Sequence, residues 1–291
     1  MESIDPVLAA REQARVRAFL EERWEARGNL LFLTGAGVSA ESGIPTFRGA
    51  EGYWRIGSRN YFPEELATRA AFDRMPDQIW GFYLYRRGVC RAAEPNPGHL
   101  ALAALEQRLR ERGQVERFLL VTQNVDGLHL RAGNTLERTY QIHGNLDYMR
   151  ALHDLDGQIF PIPGELGAGW ERGRPIGAAE RALLVSPLDG SPARPHVLWF
   201  DESYDEARFR FESTLAAVEQ ASLVVVIGTA GATNLPNMIV RRSHERRVPL
   251  LVINREESPF SELAERSPNG LFCQCSSGAI LPALCDMLAD A

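Results

Sequence analysis

The sequence predicts an α/β protein built on a doubly wound parallel sheet. Three observations carry this expectation. Short, continuously apolar runs recur at residues 30–33, 118–121, 223–227 and 250–253, the composition of strands buried on both faces. Each run gives way to glycine or a small polar residue: Thr34-Gly35, Thr122, Gly228-Thr229 and Asn254. Helix-like segments lie between the runs, which is the alternation that parallel strands need for their crossovers.

In chain order, Val16, Phe19, Leu20 and Trp24 share one side of an opening amphipathic helix that Gly28-Asn29 stops. The first buried run follows and ends in Thr34-Gly35. A second helix begins at Asn96-Pro97, with proline suited to the first turn. Leu100, Leu102, Leu105 and Leu109 form its apolar stripe, and Gly113 ends it. The strand at 118–121 comes next. The strand at 223–228, a helix over 236–247 and the strand at 250–254 complete the rhythm. Two stretches break it. Residues 50–95 are rich in aromatics and arginine, and 145–195 hold many glycines and prolines without a strong period. The expected organisation is one domain over 1–291. A Rossmann-like part takes 1–49, 96–144 and 196–291, and a smaller inserted module takes 50–95 and 145–195.

Composition excludes several classes. The 291 residues are 45% hydrophobic and 24% charged, with net charge −6, which leaves no global basic footprint for nucleic acid. The arginine clusters at 108–117 and 241–247 read as solvated helix faces. Met1 to Pro6 is polar and acidic, unlike a signal peptide. No apolar stretch reaches membrane-spanning length. Four cysteines (Cys90, Cys273, Cys275, Cys285) do not make a disulfide framework, and a reducing cytoplasm suits them. A monomer is the expected state.

Four strings carry chemistry. Residues 34–49 contain Gly35-Ala36-Gly37 directly after a buried strand, where backbone N–H groups can approach a pyrophosphate. The spacing departs from Gly-x-Gly-x-x-Gly, because the third glycine is Gly43 rather than residue 40. By itself the loop is equally a tight turn. Thr122-Gln123-Asn124-Val125-Asp126-Gly127-Leu128-His129 also follows a buried strand. Its amides and carboxylate suit a ribose and a carboxamide, although a polar turn has the same composition. His143 in Ile142-His143-Gly144 is either a structural histidine or a general base, with the glycine leaving room for a substrate. Gly228-Thr229-Ala230 and Asn254 stand at strand ends, placed for the far half of a dinucleotide.

In this order the strings resemble the sirtuin family of NAD-dependent protein deacylases, over about 30–288. Pro95-Asn96-Pro97-Gly98-His99, Ala132-Gly133, the run 194–200 and Gly278-Ala279 add to the likeness. The resemblance implies NAD as a consumed co-substrate. Gly35, Ala36, Gly37 and Ser39 would cradle its pyrophosphate, and Phe47 and Arg48 would cover the nicotinamide end. Gln123 belongs to the same binding string, in which Asn124 and Asp126 would hold the nicotinamide and the reacting ribose. Gly228, Thr229, Ala230 and Asn254 would hold the adenosine half, with Ala279 near the adenine. The acyl oxygen of a modified lysine would displace nicotinamide, and His143 would deprotonate a ribose hydroxyl. The products would be nicotinamide, lysine and O-acyl-ADP-ribose, and the partner an acyl-lysine protein or peptide.

Tyr83 and Arg86 lie three apart, on one face if 80–87 is helical. They look like the Tyr-x-x-Arg pair of sirtuins that remove succinyl and malonyl groups, where a guanidinium and a phenol grip the acyl carboxylate. An aromatic core face with surface arginines is the other reading.

The sequence also departs from the family. Most sirtuins hold a structural zinc with four cysteines in the small module. Here no cysteine lies between His143 and Trp199, so a thiolate zinc site cannot form. His153, Asp154, Asp156, Asp189 and His196 are too irregularly spaced to replace it. Leu146, Tyr148, Leu152, Ile159, Phe160, Trp170, Leu183 and Leu184 are then expected to pack the module. The family's peptide-binding Phe-Gly-Glu reads Phe200-Asp201-Glu202, which puts a side chain where glycine allows close approach. Ala230 replaces a serine hydroxyl. These changes keep open an NAD glycohydrolase or ADP-ribosyltransferase on the same scaffold. A non-catalytic NAD-binding protein is a third possibility, against which the retained Asn124, Asp126 and His143 speak.

Overall fold

The computed structural model describes residues 6–26, 28–45, 54–56, 59–153 and 157–290. In chain order, α1 (Pro6–Arg23), β1 (Asn29–Thr34) and the short α2 (Ala36–Ala40) open the molecule. The hairpin β2 (Trp54–Ile56) and β3 (Arg59–Tyr61) leads to α3 (Pro63–Leu66), α4 (Arg69–Arg74) and α5 (Pro76–Ala92). Then come α6 (Pro97–Glu111), β4 (Phe118–Thr122), α7 (Leu128–Ala132) and β5 (Thr139–Gln141). A second region holds β6 (Gly144–Ala151), β7 (Phe160–Pro161), α8 (Ala178–Leu183) and β8 (Ala193–Val197). The chain ends with α9 (Glu206–Phe209), α10 (Phe211–Gln220), β9 (Ala221–Ile227), α11 (Asn234–Glu245), β10 (Leu250–Asn254), α12 (Pro259–Arg266), β11 (Gly270–Gln274) and α13 (Ser277–Ala289).

Six strands form one sheet in the order β11-β10-β9-β1-β4-β5, with every pairing parallel. The apolar runs are continuous because both faces are covered. Leu30, Phe32, Leu120, Val225 and Ile253 point toward α1, α6 and α13. Their neighbours Leu31, Leu33, Val121, Val224 and Val252 point toward α10, α11 and α12. The chain builds outward from β1 through β4 to β5, then returns on the other side of β1 through β9, β10 and β11. That reversal beside β1 opens a crevice at the carboxyl ends of the strands, where open α/β sheets take their ligands.

A smaller antiparallel sheet, β7-β6-β8, stands over α5. Leu66, Phe72, Ile79, Trp80, Leu84, Leu146, Met149, Ile162, Trp170 and Trp199 make its core, joined by Ile44 and Leu128 from the larger part. Leu146, Trp170 and Leu184 are buried as expected, and Leu152 and Phe160 are partly covered. Tyr148 is half-buried. Ile159 and Leu183 are exposed instead and take no part in the core. Leu100 is also exposed, because the helical period of α6 turns Leu102, Leu105 and Leu109 inward and leaves residue 100 outside. Gly113, at φ +68°, closes that helix in the left-handed region. α11 starts at Asn234 rather than 236. The sheet has two more strands than the long apolar runs, the edge strands β5 and β11.

Candidate active site

One cavity of about 860 Å³ runs along the carboxyl ends of the strands. Gly35, Ala36, Gly37, Ser39, Gln123, Asn124, Asp126, His143, Gly228, Thr229, Ala230 and Asn254 all line it, and so do Tyr83, Arg86 and Phe200. Side chains from positions 35 to 277 therefore meet in one crevice.

The glycines serve first to bring two loops together. A Cβ on Gly37 would stand 2.6 Å from Gly228 Cα, and one on Gly35 would stand 2.7 Å from Thr229 Cβ. Gly37 N–H donates to the Gly228 carbonyl at 2.8 Å. Gly228 itself sits at φ +59° with Val38 N 2.5 Å from where its Cβ would be. Backbone thus packs on backbone at the floor of the crevice. Gly43 is different: at φ +80° with open space around it, it ends the turn after α2 rather than packing against anything.

Asn96 explains its own string. Its Oδ1 accepts from Gly98 and His99 N–H at the start of α6. Its Nδ2 donates to the Val38 carbonyl at 2.7 Å and to Ser42 Oγ at 3.0 Å. One residue caps α6 and fixes α2. Ser39 Oγ donates to Asp126 Oδ2 at 2.7 Å and accepts from Asn124 Nδ2 at 3.0 Å. Asn124 Nδ2 also reaches the Gly35 carbonyl at 3.0 Å. Asp126 Oδ1 accepts from Leu128 N–H at 2.9 Å. Burial raises the Asp126 carboxyl above its ordinary range, and the Leu128 and Ser39 donors oppose this. The effect is a rigid polar floor of Ser39, Asn124 and Asp126.

Gln123 ties the two sides of the switch point. Its Nε2 donates to Thr229 Oγ1 at 2.9 Å, its Oε1 accepts from Thr233 Oγ1 at 3.0 Å, and its carbonyl lies 3.1 Å from His143 Nδ1. A carbonyl only accepts, so the ring carries its proton on Nδ1 and offers a lone pair at Nε2. Burial pushes the His143 pKa down to about 4, against the Gln123 carbonyl, which raises it. The imidazole is therefore neutral at physiological pH, as a base must be. Gly144 does not leave room for a substrate. A Cβ there would stand 2.1 Å from the His196 carbonyl, so the missing side chain admits β8.

Across the crevice, Tyr83 and Arg86 face the cavity from one side of α5, with Cys90 one turn on. Trp199 Nε1 donates to Tyr83 Oη at 2.8 Å. Burial keeps the phenol protonated far above its ordinary range. The next arginine is not a surface residue. Arg87 is 2% exposed and donates to Asp147 Oδ1 at 2.9 Å and to the carbonyls of Ile162, Pro163 and Leu166.

The altered peptide loop has a structural explanation. Asp201 accepts from Arg69 N–H at 2.7 Å and Ala70 N–H at 3.1 Å, so its carboxylate turns to the start of α4. Glu202 pairs with Arg194 and accepts from Trp199 N–H at 3.0 Å. Phe200 stays 52% exposed on the rim, its N–H donated to the Ala67 carbonyl at 2.9 Å.

Three of the expected residues stand apart. Phe47 and Arg48 lie outside the described residues. Ala279 is not among the lining residues; it sits in the first turn of α13, its carbonyl accepting from Gln13. Ser276 and Ser277 line that end instead. Ser277 Oγ donates to Glu41 Oε1 at 2.6 Å, whereas buried Ser276 Oγ has no partner among the described residues. An orphaned hydroxyl beside the crevice fits a polar ligand there. Sequence reasoning also missed Tyr204, whose hydroxyl lies 2.8 Å from His143 Nε2. No sequence signal marks it, since it stands 61 positions away in a polar stretch.

An open parallel sheet with a glycine-floored crevice at its switch point and a neutral histidine on its wall defines an α/β protein of the dinucleotide-binding kind. The pattern of the Sir2 family matches residues 35–156. An NAD-dependent protein deacylase of Leptospira interrogans is 34% identical over 278 residues, covering 94% of this chain and 99% of its own. The mitochondrial NAD-dependent protein deacylase sirtuin-5 of the dog is 39% identical over 242 residues, covering 79% of this chain and 74% of its own. A crystal structure of a Sir2 homologue in complex with NAD superimposes with TM-score 0.72 at 29% identity, covering 95% of this chain and 93% of that one. The chain belongs to the Sir2 family, the sirtuins.

Proposed function

We propose that this sirtuin is an NAD-dependent protein-lysine deacylase that prefers acidic acyl groups, succinyl and malonyl, over acetyl. The coarse activity is the one its relatives are named for. The preference rests on one observation: Tyr83 and Arg86 line the same cavity as Asn124 and His143. The products would be nicotinamide, free lysine and O-acyl-ADP-ribose.

The crevice suits NAD. Gly35, Ala36, Gly37, Ser39, Gln123, Thr229, Ala230 and Asn254 would hold it, and Ser276 would give its unpaired hydroxyl to the adenosine end. Bound there, NAD supplies an electrophilic ribose carbon and a leaving group. The chain's residues do the rest. Asn124 and Asp126, fixed through Ser39, orient the nicotinamide-bearing half. His143 Nε2 takes a proton from a ribose hydroxyl. Arg86 and Tyr83 receive the acyl carboxylate and align the acyl oxygen, which is where proximity contributes most. Phe200 borders the peptide groove. The turned-away Asp201 weakens one of the reasons to prefer a glycohydrolase or ADP-ribosyltransferase.

The test incubates the protein and NAD with acetyl-, succinyl- and malonyl-lysine peptides and follows nicotinamide and peptide mass. Succinyl removal that is lost in His143→Ala is the expected result. Nicotinamide release without any peptide would favour the glycohydrolase instead.

The small module is proposed to fold without zinc. No thiolate is available between His143 and Trp199, and the chain's cysteines are buried elsewhere, as single thiols. The Arg87 contacts and the Arg194–Glu202 pair would do the holding. Elemental analysis of purified protein is expected to find well under one zinc per chain; a stoichiometric amount would refute this. The buried free thiols also fit a reducing compartment such as the cytoplasm. No helix among the described residues is long and apolar enough to cross a membrane.

A further inference from the structure

Tyr204 contacts the nitrogen on which the chemistry of His143 depends. It reaches the crevice from the segment between Phe200 and α9, and its ring lies 5.9 Å from the imidazole at 31°. Nδ1 is committed to the Gln123 carbonyl at 3.1 Å, so Nε2 is the accepting nitrogen, and the phenol 2.8 Å away must donate to it. The phenol is held in place from two further elements. The Leu235 N–H at the start of α11 hydrogen-bonds its oxygen. Phe211 of α10 stacks on its ring at 6.0 Å and 19°.

We propose that Tyr204 is a positioning residue for the base: it fixes the orientation of His143 and occupies Nε2 until a ribose hydroxyl of NAD takes its place. This rests on His143 acting as the base. An imidazole nitrogen has one in-plane lone pair. The phenol and the ribose hydroxyl therefore compete for it, and productive binding of NAD must break the Tyr204 bond. The bond holds the ring ready in the empty site and weakens apparent affinity for NAD in return.

Tyr204→Phe separates these effects, because the ring and its stacking on Phe211 are kept. In uniformly 15N-labelled protein without NAD, the Nε2 resonance of His143 is expected to move downfield while that of Nδ1 stays. KM for NAD should fall about two- to tenfold, the net worth of one neutral hydrogen bond. The imidazole is then held by Gln123 alone, so kcat should fall as well. A packing defect would instead raise KM for NAD as kcat fell. Tyr204→Leu, which removes the ring, should give the same Nε2 displacement should the phenylalanine variant fold poorly. An unchanged Nε2 resonance, or a KM for NAD that rises, would overturn the proposal. If the wild-type protein deacylates no peptide, the deacylase reading fails, yet the Nε2 resonance and calorimetric binding of NAD still decide the role of Tyr204.

Discussion

At the scale of single residues, the Tyr83 end of the crevice depends on who donates to whom. Trp199 Nε1–H donates a hydrogen bond to Tyr83 Oη. The phenol's own proton is then left to donate toward the cavity, and burial ensures that it is not lost. Arg86 stands one helical turn along the same wall, its guanidinium 5.7 Å from the Phe82 ring. A carboxylate entering here meets a neutral donor and a cation, both on a rigid helix, while an acetyl group offers neither of them a partner. Hydrogen bonds to charged groups contribute about 1.5–3 kcal/mol each, or roughly 10- to 150-fold. Arg86→Met is accordingly expected to lower kcat/KM for succinyl-lysine peptides by about that factor and to spare acetyl-lysine peptides of the same sequence. Equal losses on both substrates would return the pair to a packing role.

At the scale of elements, α4 gives a departure from the family pattern a structural role of its own. A helix begins with unpaired N–H groups. Here Arg69 and Ala70 donate to Asp201 across 132 and 131 positions, Ala71 donates to Thr68 Oγ1, and Phe72 to the Thr68 carbonyl. Asp201 is thus part of a cap. Asp201→Gly, which restores the family's residue, should cost about 1 kcal/mol of stability and speed amide exchange at Arg69 and Ala70. Tighter peptide binding with unchanged stability would mean that the carboxylate obstructs the groove after all. The same distance in sequence limits what can be read in advance. The four apolar runs announced β1, β4, β9 and β10 because burial on both faces leaves only apolar residues. β5, three residues at the sheet edge reading Thr-Tyr-Gln, carries no such mark. Arg87 looks like any arginine in its string until three carbonyls from 75 to 79 positions away converge on it. The places of Gln123, Asn124 and His143 on the crevice were legible because each follows closely on a strand or a recognisable motif; those of Tyr204 and Ser276 were not, since they arise only once distant loops meet.

At the scale of the whole molecule, burial has fixed the protonation of most of the histidines. The chain has six. Burial pushes His99, His143 and His196 down to about 4 and His129 well below its ordinary range. His99 and His129 face each other behind α2, with ring centroids 4.7 Å apart. His196 stacks on Phe209 at 5.7 Å and 8°. A depressed histidine pKa means that the unfolded chain binds more protons than the folded one between the two values. The stabilisation is complete above about pH 6.5 and is lost as pH falls toward 4. Asp126 works in the opposite sense, because burial raises its pKa and acid favours its folded, neutral form. One carboxyl does not offset four imidazoles. A histidine displaced from 6.5 to about 4 is worth on the order of 3 kcal/mol across that range, a sizeable share of the whole stability of an ordinary domain, about 5–15 kcal/mol. The melting temperature should hardly change from pH 8 to 7 and fall as pH drops from 6.5 toward 4. His196→Phe, which keeps a ring beside Phe209 and cannot charge, should make the fall shallower in calorimetric scans across that range. A melting temperature that holds steady down to pH 4.5 would mean that the buried rings find protons or water in the folded protein, and that the neutral state of His143 is not set by burial.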